Sequence, residues 1–113
     1  MAETIFSRIV RKELPADVVY EDDRILAFRD INPHAPTHVL VIPKEPIETI
    51  ADVTDDHAGL LGHMLVQAAE IAKDLGVAET GYRLVVNHGA DGGQEVDHLH
   101  VHILGGRPLR GLG

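Results

Sequence analysis

Apolar residues recur at helical spacing in two parts of this chain and so predict two helices. The first runs from residue 5 to about residue 12, with Thr4 in position to cap its N-terminus. The second runs from about residue 55 to residue 75, with Thr54 before it and Gly76 after it. Its apolar surface is wider than one contact with a sheet requires, which favours a homodimer contact on the flank that carries Gly62.

Short β-prone runs lie between the two predicted helices and after the second one. The runs 18–20 and 25–28 are separated by four polar residues, a pattern typical of a β-hairpin. The run 38–42 is apolar after its first residue and lies between two prolines, which indicates an interior strand with both faces covered. The run 82–86 predicts a fourth strand, and a short helical turn is expected at about residues 47–51.

Residues 98–104 predict a fifth strand in which histidine alternates with apolar residues. Successive side chains of a strand point to opposite faces, so His98, His100 and His102 are expected on one face. The apolar residues between them are expected on the other face, in the core. Three of the eight histidines therefore form one row, which Gly105 and Gly106 end.

The composition limits the functions that this row can serve. The chain has 113 residues, as expected for one domain spanning residues 1–113, with residues 108–113 as a short tail. Its formal net charge of −8 argues against binding nucleic acid through phosphate contacts. It has no cysteine, which excludes disulfides, thiolate nucleophiles and cysteine-bound zinc. No run resembles a signal peptide or a membrane span, so we expect a cytoplasmic protein without membrane contact.

Three interpretations of the histidine row are open on the residues alone. The row could be structural, since single histidines often do no more than satisfy hydrogen bonds. It could hold a metal, because a His-x-His pair can share one zinc ion, with His38 or Asp97 as a further ligand. It could also carry nucleophilic and acid–base chemistry at phosphorus, since a neutral imidazole attacks phosphorus and leaves it readily.

The third interpretation accounts for more of the sequence than the other two. Chemistry at phosphorus needs hydrogen-bond donors for the phosphate oxygens. The loop 89–95, which contains Gly92 and Gly93, is suited to presenting backbone N–H groups to an anion. Asn87, at the end of the fourth predicted strand, can add a side-chain donor. The row, the loop and Asn87 together therefore indicate a phosphate-processing site.

The same residues resemble the histidine-triad (HIT) family, whose signature alternates three histidines with apolar residues. That signature stands here as His98-Leu99-His100-Val101-His102-Ile103-Leu104. Further blocks resemble the Hint branch of nucleoside phosphoramidases, and the resemblance covers about residues 3–107. These blocks are Asp30-Ile31-Asn32-Pro33 with Ala35-Pro36-Thr37-His38-Val39-Leu40-Val41-Ile42-Pro43-Lys44, then Gly92-Gly93-Gln94-Glu95-Val96, then Leu104-Gly105-Gly106-Arg107.

The resemblance implies an α+β fold, in which a five-stranded antiparallel sheet carries one long and one short helix and pairs about a two-fold axis. It implies hydrolysis of the P–N bond of purine nucleoside 5′-phosphoramidates, such as adenosine 5′-phosphoramidate or an adenylated lysine. A purine nucleotide is then the substrate, no cofactor and no metal are needed, and the protein is a homodimer. The alternatives are a dinucleoside polyphosphate hydrolase of the same family and a non-catalytic nucleotide-binding or interaction module.

The resemblance also implies roles for individual residues. His100 is the nucleophile, His102 contacts the phosphate and helps to protonate the leaving amine, and His98 and His38 orient the nucleophile. The implied nucleotide contacts are Asn87 and the backbone of Gly93, Glu95 and Val96 for the phosphate, Asp30 for the ribose, and Ile5, Phe6, Ile9, Phe28 and Ile31 around the purine. The remaining histidines show no spacing relation to the row, and we expect His57 and His63 to be exposed helix residues and His34 and His88 to be loop residues.

Overall fold

The computed structural model describes residues 3–113 and contains both helices and all five strands that the sequence predicts. The elements are α1 (Ile5–Val10), β1 (Val18–Glu21), β2 (Ile25–Arg29), β3 (Thr37–Pro43), α2 (Ala58–Asp74), β4 (Tyr82–Val85) and β5 (Val101–Gly105). Two single turns of 3-10 helix, Ile50–Asp52 and Asp55–His57, precede α2. The strands pair antiparallel in the order β1-β2-β3-β5-β4. The α+β class and the antiparallel five-stranded sheet are therefore confirmed.

Strand β3 lies at the centre of the sheet because its side chains are apolar on both faces. Every residue of β3 after Thr37 is buried. Strand β2 pairs along one edge of β3, and β5 pairs along the other edge, with Leu40 opposite His102. This pairing brings His38 next to His102, although the two residues are 64 positions apart in the chain.

Each face of the sheet carries its own hydrophobic core. Strand β2 shows how the alternation of side chains divides them, since Leu26 and Phe28 lie in the core under α1 and Ile25 and Ala27 lie in the core under α2. The α2 core is formed by Ile25, Ala27, Val39, Val41, Ile47, Leu60, Met64, Ala68, Ile71, Ala72, Val77, Leu99, Val101 and Ile103. The α1 core is formed by Phe6, Ile9, Leu26, Phe28, Leu40 and Ile42.

Helix α1 has the predicted N-cap, α2 does not have Thr54 as its own N-cap, and the limits of both helices differ from those predicted. At α1, the Thr4 side chain accepts a hydrogen bond from the Ser7 N–H at 3.1 Å. This helix ends at Val10, earlier than predicted, and Lys12 then takes a left-handed φ of 64°. Thr54 caps the 3-10 turn that precedes α2, so the α-helix itself begins only at Ala58. No helix in the described part of the chain is long and apolar enough to cross a membrane.

Two histidines expected to be exposed are instead partly buried, because each has a carboxylate partner. His57 contacts Glu45 at 2.9 Å. His63, on α2, contacts Asp22 at 2.6 Å, and Asp22 also accepts from the Tyr20 hydroxyl at 2.8 Å and from two backbone N–H groups. Partial burial by itself raises the pKa of Asp22, but these hydrogen bonds outweigh it and hold the pKa well below its usual range. This cluster fastens the β1–β2 turn to α2.

The last strand is shorter than the sequence predicts and includes only one histidine of the row. It begins at Val101, so His98 and His100 precede it. The reason is a competing partner: the Leu99 N–H donates to the Ile47 carbonyl at 2.7 Å, and the His98 ring donates to the Pro43 carbonyl at 2.8 Å. These bonds attach the start of the row to the end of β3 and to the segment that follows it.

Candidate active site

A cavity of about 320 Å³ opens where α1, β3, β5 and the end of β4 meet the loop 87–96. This volume is within the range that small-molecule sites occupy. The cavity is lined by Phe6, Asp30, His34, His38, Leu40, Val85, Asn87, Gly93, Glu95, Val96, His100, His102 and Leu104. Asp30 and Glu95 are the carboxylates in this lining, and neither lysine nor arginine belongs to it.

The structure brings most of the predicted site residues to this cavity. Phe6, Asp30, His38, Asn87, Gly93, Glu95, Val96, His100 and His102 line it, whereas Ile5, Ile9, Phe28, Ile31 and His98 do not. Phe28 and Ile9 are buried in the α1 core together with Phe6. Ile5 and Ile31 are exposed, with 59% and 90% of their surface accessible. Of the predicted purine contacts, only Phe6 therefore reaches the cavity in this structure.

The hydrogen bonds of His98 and His100 determine which ring nitrogen of His100 is unprotonated. The Nδ1 of His100 lies 2.7 Å from the His98 carbonyl, which can only accept, so Nδ1 carries the proton. The Nε2 of His100 is then left with its lone pair. Phe6 stands edge-on to the His100 ring at a centroid distance of 5.1 Å and helps to hold its plane. His98 itself is buried, and its ring donates to the Pro43 carbonyl. This contact holds in place the backbone carbonyl that binds His100.

A second chain of hydrogen bonds determines the protonation of the other two rings. The His34 backbone N–H donates to Nδ1 of His38 at 3.0 Å, so His38 carries its proton on Nε2. That Nε2 lies 2.9 Å from Nδ1 of His102 and donates to it. His102 must then carry its own proton on Nε2. One cavity thus contains an unprotonated nitrogen on His100 and a protonated nitrogen on His102.

The rings of His38, His98 and His102 are held in their neutral form. Burial and, to a smaller extent, the neighbouring His100 and His38 rings together lower the pKa of His102 to about 4. Burial also lowers the pKa of His38, against the opposing effect of Asp30, and the pKa of His98. The neutral form of His38 and His102 is the one that the hydrogen bonds from the His34 N–H to His38 and from His38 to His102 require.

Asp30, His38 and His102 are close enough to be considered as a metal site. One ligand atom from each lies within 4.8 Å of the others. However, the His34 N–H occupies Nδ1 of His38 and keeps the proton on Nε2, the atom that faces Asp30 and His102. A metal ion needs that nitrogen unprotonated. The donor set therefore fits a hydrogen-bonded chain better than a metal centre, and it differs from the set that the sequence suggested.

The loop 87–96 is shaped by its glycines and by two amide side chains. A Cβ on Gly92 would lie 2.1 Å from the His88 carbonyl oxygen, so only glycine fits there. The Asn87 side chain donates to the Gly92 carbonyl at 2.6 Å, and the Gln94 side chain donates to the Glu48 carbonyl at 2.8 Å. These contacts close the loop on itself and attach it to the segment after β3.

The backbone donors that this loop can offer are those at its end. The Gly93 and Gln94 N–H groups donate to carbonyls within the loop, at 3.1 Å each. Among the described residues, no acceptor pairs with the N–H groups of Glu95 and Val96, which line the cavity. Of the predicted loop donors that line the cavity, the N–H groups of Glu95 and Val96 are therefore the ones that no carbonyl of the loop occupies.

Four lining residues were not predicted as site residues: His34, Leu40, Val85 and Leu104. Leu40 and Leu104 lie two positions after His38 and His102, and Val85 lies two before Asn87. The two-residue period of a strand would have placed them on the cavity face. For His34 no such signal exists, because its contribution is a backbone N–H in a loop.

Comparison with known proteins identifies the family. A family model of the HIT domain matches residues 11–109. The chain belongs to the HIT family. Among its relatives, the purine nucleoside phosphoramidase of Escherichia coli strain K12 is 57% identical over 107 residues, covering 95% of this chain and 90% of that protein. An uncharacterized HIT-like protein of Synechocystis is 58% identical over 110 residues, covering 96% of each.

Solved structures give the same result for this HIT protein. A HIT family hydrolase from Legionella pneumophila superimposes with a TM-score of 0.94 at 53% identity, over 96% of each chain. A histidine triad protein from Clostridium difficile does so with a TM-score of 0.94 at 45% identity, over 100% of each chain. The short α1, the long α2 and the sheet are therefore those of the family.

Proposed function

We propose that this HIT protein is a hydrolase that cleaves the P–N bond of purine nucleoside 5′-phosphoramidates. The observation that carries the proposal is the pair of opposed tautomers, with a lone pair on His100 and a proton on His102 in one cavity. Cleavage of a P–N bond needs a nucleophile for phosphorus and a proton for the leaving amine. The relative from Escherichia coli, at 57% identity, carries the name of this activity.

The reaction then has two balanced steps. The Nε2 of His100 forms a bond to phosphorus, the P–N bond breaks, and the amine nitrogen keeps the electron pair and takes a proton from Nε2 of His102. Attack at phosphorus makes the His100 ring cationic, and loss of the proton makes the His102 ring anionic. The two ring centroids lie 4.9 Å apart, so the opposite charges stabilise each other. Water then attacks phosphorus and returns a proton to His102, and the bond to His100 breaks. One amine and one nucleoside monophosphate leave.

The cavity also offers places for the rest of the nucleotide. The N–H groups of Glu95 and Val96 are available to the phosphate oxygens. Asp30 turns one carboxylate oxygen to the Asn32 N–H at 2.8 Å, and its other oxygen is suited to a ribose hydroxyl. Phe6, which lines the cavity, would cover the base.

The decisive experiment is hydrolysis of adenosine 5′-phosphoramidate carrying a fluorogenic amine, measured in EDTA. We expect wild-type turnover in the chelator, loss of at least about a thousandfold in His100→Ala, and little change in His88→Ala, an exposed histidine outside the cavity lining. Turnover only after zinc is restored would point to the metal interpretation. Absence of turnover together with binding of adenosine monophosphate would point to a nucleotide-binding module.

We also propose that two copies of the chain form a dimer. Leu65 and Val66 on α2 are exposed, with 48% and 60% of their surface accessible, although they belong to an apolar helix. Gly62 beside them has no neighbour within 4 Å of where a Cβ would lie, so a second helix can approach closely there. Sedimentation should give about twice 12.3 kDa, and Val66→Asp should give the monomer. A monomeric wild type at micromolar concentration would refute the proposal.

The cytoplasmic location that the sequence suggests stays a prediction.

A further inference from the structure

Arg107 contacts the site from outside the cavity. It follows β5, and its guanidinium donates to the His34 carbonyl at 2.8 Å and to the Pro108 carbonyl at 3.0 Å. It does not belong to the cavity lining. The residue that it holds, His34, is the one whose backbone N–H donates to Nδ1 of His38.

The loop that carries His34 has few other polar anchors. At its start, the Asp30 N–H donates to the His38 carbonyl, and the Asn32 N–H donates to the Asp30 side chain. Ile31, the residue between them, is almost fully exposed, whereas Ala35 beside His34 is buried and anchors the loop by an apolar contact only. At the other end of the loop Gly106 packs so closely that an added Cβ would lie 2.9 Å from Pro36. The Arg107 side chain therefore supplies the polar contact nearest to the His34 N–H.

We propose that Arg107 is a positioning residue that keeps the leaving-group proton on Nε2 of His102, by holding His34 against His38. The effect is transmitted through three successive hydrogen bonds, of 2.8, 3.0 and 2.9 Å. This inference rests on the proposed phosphoramidase function for its catalytic consequence. Its structural part, the protonation state of His38, stands independently of the substrate.

The contact between the His34 N–H and His38 decides where one proton of the His38–His102 pair lies. The neutral pair of His38 and His102 holds two protons, and one of them lies between the two rings. The other proton can be on Nδ1 of His38 or on Nε2 of His102. A donor pointing at Nδ1 excludes a proton there and so keeps it on His102. If the His34 N–H moves away, the proton can shift to His38, and His102 then presents a lone pair that cannot protonate an amine.

The test compares leaving groups that do and do not need a proton. One substrate is an adenosine 5′-phosphoramidate of an alkylamine, and the other is the 4-nitrophenyl ester of adenosine monophosphate, whose leaving group departs as an anion. We expect Arg107→Gln to lower kcat/KM roughly tenfold for the phosphoramidate, as loss of one hydrogen bond predicts, and less than about twofold for the ester. Arg107→Lys, which keeps a donor, should recover part of the loss.

The matched control is Arg83→Gln, because Arg83 also donates to a backbone carbonyl, that of Arg110 at 2.8 Å, but without contact to the His34 loop. We expect it to leave both substrates unaffected. An equal loss of kcat/KM on both substrates in Arg107→Gln would show a general structural effect and overturn the proposal, as would no loss on either.

A spectroscopic measurement separates this inference from the proposed function. In ¹⁵N-labelled wild type, the nitrogen shifts of His38 should show an unprotonated Nδ1 and a protonated Nε2. In Arg107→Gln the two nitrogens should move toward a mixture of tautomers. If the wild type cleaves neither substrate, the phosphoramidase proposal fails, and unchanged His38 shifts in Arg107→Gln would independently refute the positioning role.

Discussion

Protonation of His102 should destabilise the fold as the pH falls. Its pKa is about 4 in the folded protein, against 6.5 for an ordinary histidine, because the ring is partly buried beside two other imidazoles. The unfolded chain therefore binds the proton at higher pH than the folded one. The stability due to the neutral ring is complete above pH 6.5 and is lost as the pH falls toward 4. From these two values, the free energy of unfolding at pH 5 should be about 2 kcal/mol lower than at pH 7.5 through His102 alone.

Urea unfolding at the two pH values, for wild type and for His102→Gln, measures this contribution. The variant should lose about 2 kcal/mol less than the wild type between pH 7.5 and pH 5. His38 and His98, whose pKa values are also lowered, remain in both proteins and supply the rest of the decline. His88→Gln, at an exposed loop position, controls for removal of a histidine as such. Equal pH dependence in wild type and His102→Gln would refute the reasoning that burial keeps this ring neutral.

Two further substitutions test the loop 87–96 and the contacts that join the β1–β2 turn to α2. Gly92→Ala should lower the free energy of unfolding by about 1–3 kcal/mol in thermal unfolding, because the added Cβ meets the His88 carbonyl. The same substitution should raise KM for the phosphoramidate, because it displaces the loop. Gly111→Ala is the control and should change neither quantity, since nothing lies within 4 Å of the added Cβ. Asp22→Asn should cost about 1–3 kcal/mol in urea unfolding, since it weakens the bonds to His63, Tyr20 and the backbone. The exposed neighbour Asp23 is its control, and an equal cost in Asp23→Asn would contradict a specific role for Asp22.

Local sequence patterns predicted the elements because those elements depend on local properties. The apolar run after His38 predicted a buried strand, and β3 is the central strand of the sheet. Thr4 predicted the start of α1, because a cap requires only a side-chain oxygen three residues before the N–H that it binds. The alternation of residues 98–104 placed histidines and core residues on opposite faces, and Leu99 and Val101 are in the α2 core.

Where long-range contacts compete with a local pattern, the sequence prediction was less accurate. The alternation predicted a strand from His98, but contacts with Pro43 and Ile47 delay β5 until Val101. Exposure was predicted for His63 from the helix pattern, whereas the β1–β2 turn covers it through Asp22. In each case the contacting residue lies about 40 or more positions away in the sequence, so a local pattern of apolar and polar residues cannot predict the contact.

By itself, the sequence determined the kinds of residue at the site and the face on which they lie, because the backbone period decides the direction of a side chain. Only the tertiary structure decided which nitrogen of each ring carries the proton. That choice depends on the carbonyl or N–H that meets the other nitrogen. The His98 carbonyl for His100 and the His34 N–H for His38 are only two and four residues away, but both belong to irregular segments whose shape no backbone period predicts. For His102 the deciding partner is His38, 64 residues away, so its tautomer follows from the fold.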